Sequence, residues 1–196
     1  MKLIGLCGKM GSGKDTIADI MLNENLVQHR MSFATGVKEV AKELFDIDPK
    51  KRTPKSRRIW QTIGHSMRQL DDVVWIVSLM KRLAWIYDAE DDNVSVIITD
   101  VRYLNEARWI LSNHGTVIII NADPYQRKQR IERRDNITID STEWVGITEH
   151  PSELEADLIY SKLIDQPNVY YYFNREAEPE YIKKYFLTWW DQNIKT

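Results

Sequence analysis

The stretch GLCGKMGSGKDTIAD, residues 5 to 19, constrains this chain more than any other. Gly8, Gly13 and Lys14 meet the pattern G-x-x-x-x-G-K-[ST], in which a glycine-rich turn folds backbone N–H groups around phosphate oxygens. That pattern works only between a strand and a helix, and both are expected here. KLIGLC (2–7) precedes it, and DTIADIMLNE follows with Ile17, Ile20, Met21 and Glu24 at helical intervals. Gly8, Gly11 and Gly13 supply the backbone freedom, and Ser12 lies inside the turn. The helix N-terminus and Lys14 add positive charge for a polyphosphate. One letter departs from the pattern: Asp15 stands where a hydroxyl would ligate Mg²⁺. Either the carboxylate takes a metal-linked role beside Thr16, or it is an ordinary acid in a first helical turn.

Apolar runs that read as parallel strands buried on both faces recur along the chain. KLIGLC, NVSVIITD (93–100) and GTVIIINAD (115–123) are the strong ones; HRMSFA (29–34), ADLIYS (156–161) and NVYYYFN (168–174) are weaker. Helical spacing falls at 13–24, 36–46, 56–70, 72–88, 103–113, 124–135 and 178–190. Strands alternating with helices predict a three-layer α/β sandwich on a mainly parallel sheet, in one domain spanning 1–196. Residues 46–58 and 135–153 read as loops or covers, and the aromatic C-terminus as a helix docking on the sheet.

A net charge of −2, with 29% charged residues, argues against bulk binding to nucleic acid polymers or anionic membranes. No run approaches the ~20 apolar residues of a membrane span. The single cysteine, Cys7, fits a reducing compartment, so a cytoplasmic protein is expected.

The strand VSVIITD ends in Asp100 and continues to Arg102, at the carboxyl edge where open α/β sheets collect ligands. Asp100 suits a metal-bound water or a substrate hydroxyl, and Arg102 a phosphate. Arg57, Gln61, Gly64 and Arg68 recur at four, three and four residues, one face of a helix, with Ile59, Ile63, Met67 and Leu70 opposite. Asp72 and Trp75 extend the polar stripe if the helix runs on, the indole then being placed to stack on a flat ring. Gly64, unfavourable by about 1 kcal/mol inside a helix, suggests close approach of a ligand. A solvated polar face is the plainer account of the same stripe. Arg127, Arg130 and Arg134 form a second stripe, suited to a closing cover in phosphoryl transfer. In TEHPSELE (148–155), Ser152 and Glu155 read as a capping box, and His150 and Glu153 as candidates to touch substrate.

Taken in order, GKMGSGKDT, SFATGVKEVAKELF, R-x-x-x-Q-x-x-G-x-x-x-R-x-x-D-x-x-W over 57–75, TDVRYLNE, the arginine-rich helix and TEHPSE resemble the deoxynucleoside monophosphate kinases of tailed bacteriophages. The resemblance spans roughly residues 2 to 175 and accounts for Asp15, since G-K-D-T is usual in that group. It implies a five-stranded P-loop NTPase-type sandwich with an acceptor-binding insertion at about 36–88 and a lid at about 124–153. It also implies transfer of the ATP γ-phosphoryl group to a deoxynucleoside 5′-monophosphate, with Mg²⁺. Gly8, Gly11, Ser12, Gly13 and Lys14 would hold ATP, with Asp15, Thr16 and Asp100 near the metal. Arg68 and Arg102 would fix the acceptor phosphate, with Lys38, Arg57, Gln61, Gly64, Asp72, Trp75, His150 and Glu153 around the acceptor. Arg127 and Arg130 would belong to the cover; Lys14, Arg68, Arg127 and Arg130 form the expected catalytic set.

Animal phosphomevalonate kinases are similar in layout, and a dephospho-coenzyme A kinase-like reaction is a further alternative. A nucleotide switch or a noncatalytic nucleotide-binding subunit is an alternative of another class, although no N-K-x-D element is present. A homodimer through the aromatic C-terminal helix is a further expectation, and a viral origin would place the protein in the host cytoplasm.

Overall fold

The computed structural model describes residues 1–51, 53–89, 94–149, 151–175 and 178–194. Its strands are β1 (Lys2–Cys7), β2 (His29–Met31), β3 (Ser95–Val101), β4 (Thr116–Asn121) and β5 (Val169–Phe173). Its helices are α1 (Lys14–Asn23), α2 (Ala34–Phe45), α3 (Pro54–Leu70), α4 (Val74–Ala89), α5 (Leu104–Ser112), α6 (Pro124–Asp135), α7 (Ser141–Thr148), α8 (Pro151–Leu163) and α9 (Pro179–Asn193). The strands form one sheet in the order β2-β3-β1-β4-β5, every pairing parallel.

The apolar runs account for this arrangement. Residues of β1, β3 and β4 are buried nearly without interruption, as strands covered on both faces must be. Alternate side chains feed two cores. Val96, Ile98, Val117 and Ile119 pack with residues of α4, α5 and α8. Ile4, Leu6, Ile97, Ile118 and Ile120 pack under α1 and α9. The three expected layers are therefore present. The C-terminal aromatics complete the second core: Tyr172 packs edge-on to Phe186 at 5.4 Å, and Trp190 is buried. Those buried rings are committed within the fold, so α9 offers a dimer only its outer face, where Tyr181 and Tyr185 are exposed.

In register, Cys7 stands beside Val101 on one side and Ile119 on the other. The turn after β1, the end of β3 and the end of β4 thus meet at one edge of the sheet, where the site is built.

Several boundaries differ from those expected. ADLIYS is helical, part of α8, with Ala156, Ile159 and Leu163 buried at helical spacing. The basic segment already becomes helix at Pro54, where Thr53 and Ser56 cap α3 reciprocally. Most of the irregular cover is α7 and the start of α8. Ser152 is the second residue of α8.

The 57–75 stripe is broken. Asp71 is extended (φ −153°), α3 stops at Leu70, and a new helix starts at Val74. Leu70 is exposed, while Trp60, Ile63 and Met67 make the packing face of α3.

Candidate active site

The phosphate loop has the conformation its glycines imply. Gly8, Gly11 and Gly13 all have positive φ, at 148°, 79° and 100°. A Cβ on Gly8 would lie 2.1 Å from the Ile120 carbonyl oxygen, and one on Gly13 would lie 2.4 Å from Asn174 Nδ2. Only glycine fits either place. Neighbouring elements hold the loop from outside. Asn174 Nδ2, at the end of β5, donates to the Ser12 carbonyl at 3.0 Å, and Arg130 Nη1 donates to the Gly11 carbonyl at 3.2 Å.

Lys14 opens α1, and its buried Nζ donates back to the Gly8 and Lys9 carbonyls at 2.5 and 2.8 Å. Burial lowers its pKa to about 8, and the nearby charge of Arg102 pushes in the same direction. Two cations therefore crowd the mouth of the loop.

Asp15 is paired with Arg30 of β2, which also holds Asp19 at 2.7 Å. This guanidinium offsets the acid next to the loop lysine. Asp100 binds the segment that follows β2. It accepts from Ser32 Oγ at 2.7 Å and from the backbone N–H groups of Phe33 and Ala34 at 2.8 Å, fixing the start of α2. Among the described residues no group of three or more His, Cys, Asp or Glu could hold a metal by itself.

Arg68 of α3 is fixed on three sides. Nη2 donates to Glu106 at 2.8 Å, Nη1 donates to the Gly64 carbonyl at 3.0 Å, and the guanidinium lies 4.0 Å over the Tyr103 ring. The Gly64 carbonyl also accepts from Trp75 Nε1 at 3.1 Å. Trp75 is 4% exposed and packs in the core, so it is not a stacking platform. A Cβ on Gly64 would make only ordinary contacts with the protein, the nearest at 3.4 Å, so the surrounding side chains alone do not require a glycine there.

Arg68, Asp72, Tyr103, Asn105 and His65 border an open cleft of about 460 Å³. Gln61 is exposed, and the Lys38 ammonium lies 5.2 Å from the Trp60 ring. Arg57 lies elsewhere, joining Asp135 at 2.6 Å together with Arg134 at 2.9 Å. Those two guanidinium groups hold the Asp135 carboxyl below its usual range, the hydrogen bond from Arg134 most of all.

Arg127, expected in the cover, and Glu153, expected to touch substrate, are both buried and meet each other. Arg127 is 3% exposed; Nε donates to the Met10 carbonyl at 2.8 Å and Nη2 to Glu153 at 2.9 Å. Glu153, 1% exposed, also accepts the Met10 backbone N–H at 2.9 Å and lies 3.5 Å from Arg102 Nη1. A buried carboxylate thus ties α8, α6 and Arg102 to the tip of the phosphate loop. His150 lies outside the described residues.

The structure adds Arg30, Glu106 and Asn174 to the residues around the site. Glu106 carried a faint local signal, an acid placed to cap the start of a helix. Arg30 and Asn174 carried none, their partners lying 15 and 162 residues away.

A phosphate loop on the central strand of a parallel 2-3-1-4-5 sheet defines a P-loop nucleotide-binding fold. Residues 4–150 match the family AAA_18, described as an AAA domain, and the chain belongs to that family. A protein of Acanthamoeba polyphaga mimivirus, provisionally named a deoxynucleotide monophosphate kinase, is 30% identical over 186 residues, covering 82% of this chain and 85% of its own. TT1252 from Thermus thermophilus has a similar structure, with a TM-score of 0.58 at 16% identity, covering 98% of this chain and 97% of its own. A gluconokinase from Sinorhizobium meliloti 1021 follows at 0.57 and 11% identity, covering 97% and 92%. These likenesses establish a P-loop kinase fold.

Proposed function

We propose that this chain is an ATP-dependent kinase that transfers the γ-phosphoryl group of ATP to the 5′-phosphate of a deoxynucleoside monophosphate. One observation carries the reading. Lys14 and Arg102 converge at the phosphate loop, with Arg68 fixed beside them through Glu106. Cations from three separate elements suit two phosphorylated ligands brought end to end, more than one polyphosphate and a neutral acceptor. The mimivirus relative's name supports the same acceptor class.

In this reading the loop N–H groups and Lys14 hold the ATP phosphates, and Lys14 leaves its carbonyl partners to follow them. Arg68 and Arg102 hold the acceptor phosphate, and Asp72 and Gln61 lie toward the nucleoside. An acceptor phosphate oxygen, already anionic at neutral pH, attacks the γ-phosphorus while the bond to the β,γ-bridging oxygen breaks and ADP leaves. No general base or covalent intermediate is required, and positioning with charge neutralisation supplies the rate.

Oxygen ligands suit Mg²⁺, and Asp15, whose side chain stays 56% exposed in its pair with Arg30, and Thr16 fit such a cation. Asp100, already accepting three hydrogen bonds, fits as an outer partner. The cation would neutralise charge on the β- and γ-phosphates. Arg127 and Glu153 act as the frame of the loop, and Arg130, on the Gly11 carbonyl, is the arginine of α6 assigned to the donor side.

The test is ADP release from ATP with and without a panel of deoxynucleoside monophosphates, phosphomevalonate and dephospho-coenzyme A. Release that depends on a deoxynucleotide supports the reading. Release without any acceptor, or only with another panel member, overturns it.

A further inference from the structure

We infer that Glu106 is a positioning residue for acceptor binding, holding Arg68 and the Arg102 turn in one fixed arrangement; this rests on the acceptor site proposed above. The two carboxylate oxygens divide the task. Oε1 accepts from Arg68 Nη2 at 2.8 Å, while Oε2 accepts the backbone N–H groups of Arg102 at 2.8 Å and Tyr103 at 3.1 Å. One side chain therefore sets the place of a guanidinium from α3 and the backbone from which a second guanidinium springs.

Glu106 is 1% exposed, so the carboxylate has lost its water and relies on these partners. Tyr103, whose N–H is bound by Glu106, is also the ring on which Arg68 lies. Arg68 is left with its rotamer decided on the acid, the Gly64 carbonyl and the aromatic face. A guanidinium ordered before the ligand arrives loses less freedom on binding than one recruited from solvent. The acid also offsets part of the positive charge that Arg68, Arg102 and Lys14 would otherwise crowd together.

The discriminating variant is Glu106→Gln. Its amide oxygen can still accept from the Arg102 and Tyr103 backbone, but its NH₂ faces Arg68, which has only donors. Glu106→Asp is the second variant, keeping the charge but drawing it back from Arg68, and it serves if the glutamine variant does not fold. Acceptor KM, ATP KM and kcat are measured for the wild type, each variant, and each in an Arg68→Ala background.

The expected result is an acceptor KM raised tenfold or more, an ATP KM within twofold of wild type, and, for Glu106→Gln, which keeps the backbone contacts, no further loss once Arg68 is alanine. An unchanged acceptor KM overturns the inference. So does a loss shared equally by ATP and acceptor that persists in the Arg68→Ala background, which would mark Glu106 as part of the framework only. A wild-type protein with no monophosphate-dependent release would overturn the functional reading itself, an outcome separate from any variant's behaviour.

Discussion

Arg127 and Glu153 meet at 2.9 Å with both side chains sealed from solvent, at 4% and 1% exposure, and each also binds the backbone of Met10. Removing one partner of such a pair strands a buried charge, at a cost of about 3–5 kcal/mol. Arg127→Ala should lower the melting temperature by roughly 6–20 °C for a chain of this size, as read by calorimetry. A fall of under two degrees would return Arg127 to the role of a mobile cover residue.

Arg30 and Asp15 form the second test. With Arg30 replaced by Ala, the Asp15 carboxylate faces the triphosphate without its counter-charge, and ATP KM should rise about five- to tenfold at low salt. In binding titrations without Mg²⁺, changing Asp15 to Asn in the same variant should recover much of the loss. Initial rates at two ionic strengths check the rise in KM; an additive loss in the double variant would refute the pairing.

Lys14 makes a prediction about protons. Its folded pKa of about 8 lies below the ordinary 10.5, so across that window the unfolded chain binds more protons than the folded one. Its contribution to ligand-free stability therefore rises with pH between those values. A bound triphosphate favours the ammonium, so ATP binding should take up about half a proton near pH 8 and weaken above it. Titration calorimetry in two buffers of different ionisation enthalpy measures the uptake. Heats that do not depend on the buffer would show Lys14 already charged.

Trp75 separates packing from recognition. Trp75→Phe removes the hydrogen bond to Gly64 and opens space in the core, so it should reduce stability by about 1–3 kcal/mol. Acceptor KM should change by less than threefold. A tenfold rise at unchanged stability would restore the ring to the acceptor pocket.

What the sequence disclosed was what is local. The phosphate loop was legible because turn glycines, lysine and flanking elements follow one another without a break in the chain, and the central strands because burial on both faces leaves unbroken Ile and Val runs. ADLIYS misled because a short apolar run reads alike as strand or helix, and Leu158 and Tyr160 stay exposed between its buried positions. Trp75 misled because spacing alone carried α3 through Asp71, where the backbone turns. Arg127 and Arg130 share a stripe and both reach loop carbonyls, but Arg127 also meets Glu153 from a distant helix. No local pattern encodes a partner supplied by another part of the chain.

The contact of Glu153 with Met10 has a consequence for swapping parts among relatives. A chimaera that exchanges residues 124–163 would carry across Arg127 and Glu153 but leave Met10 and Arg102 behind, splitting a four-way junction at its centre. Grafts should therefore be tolerated when the incoming segment brings a carboxylate to that depth. Without one, even a well-packed replacement would leave the tip of the nucleotide turn unanchored.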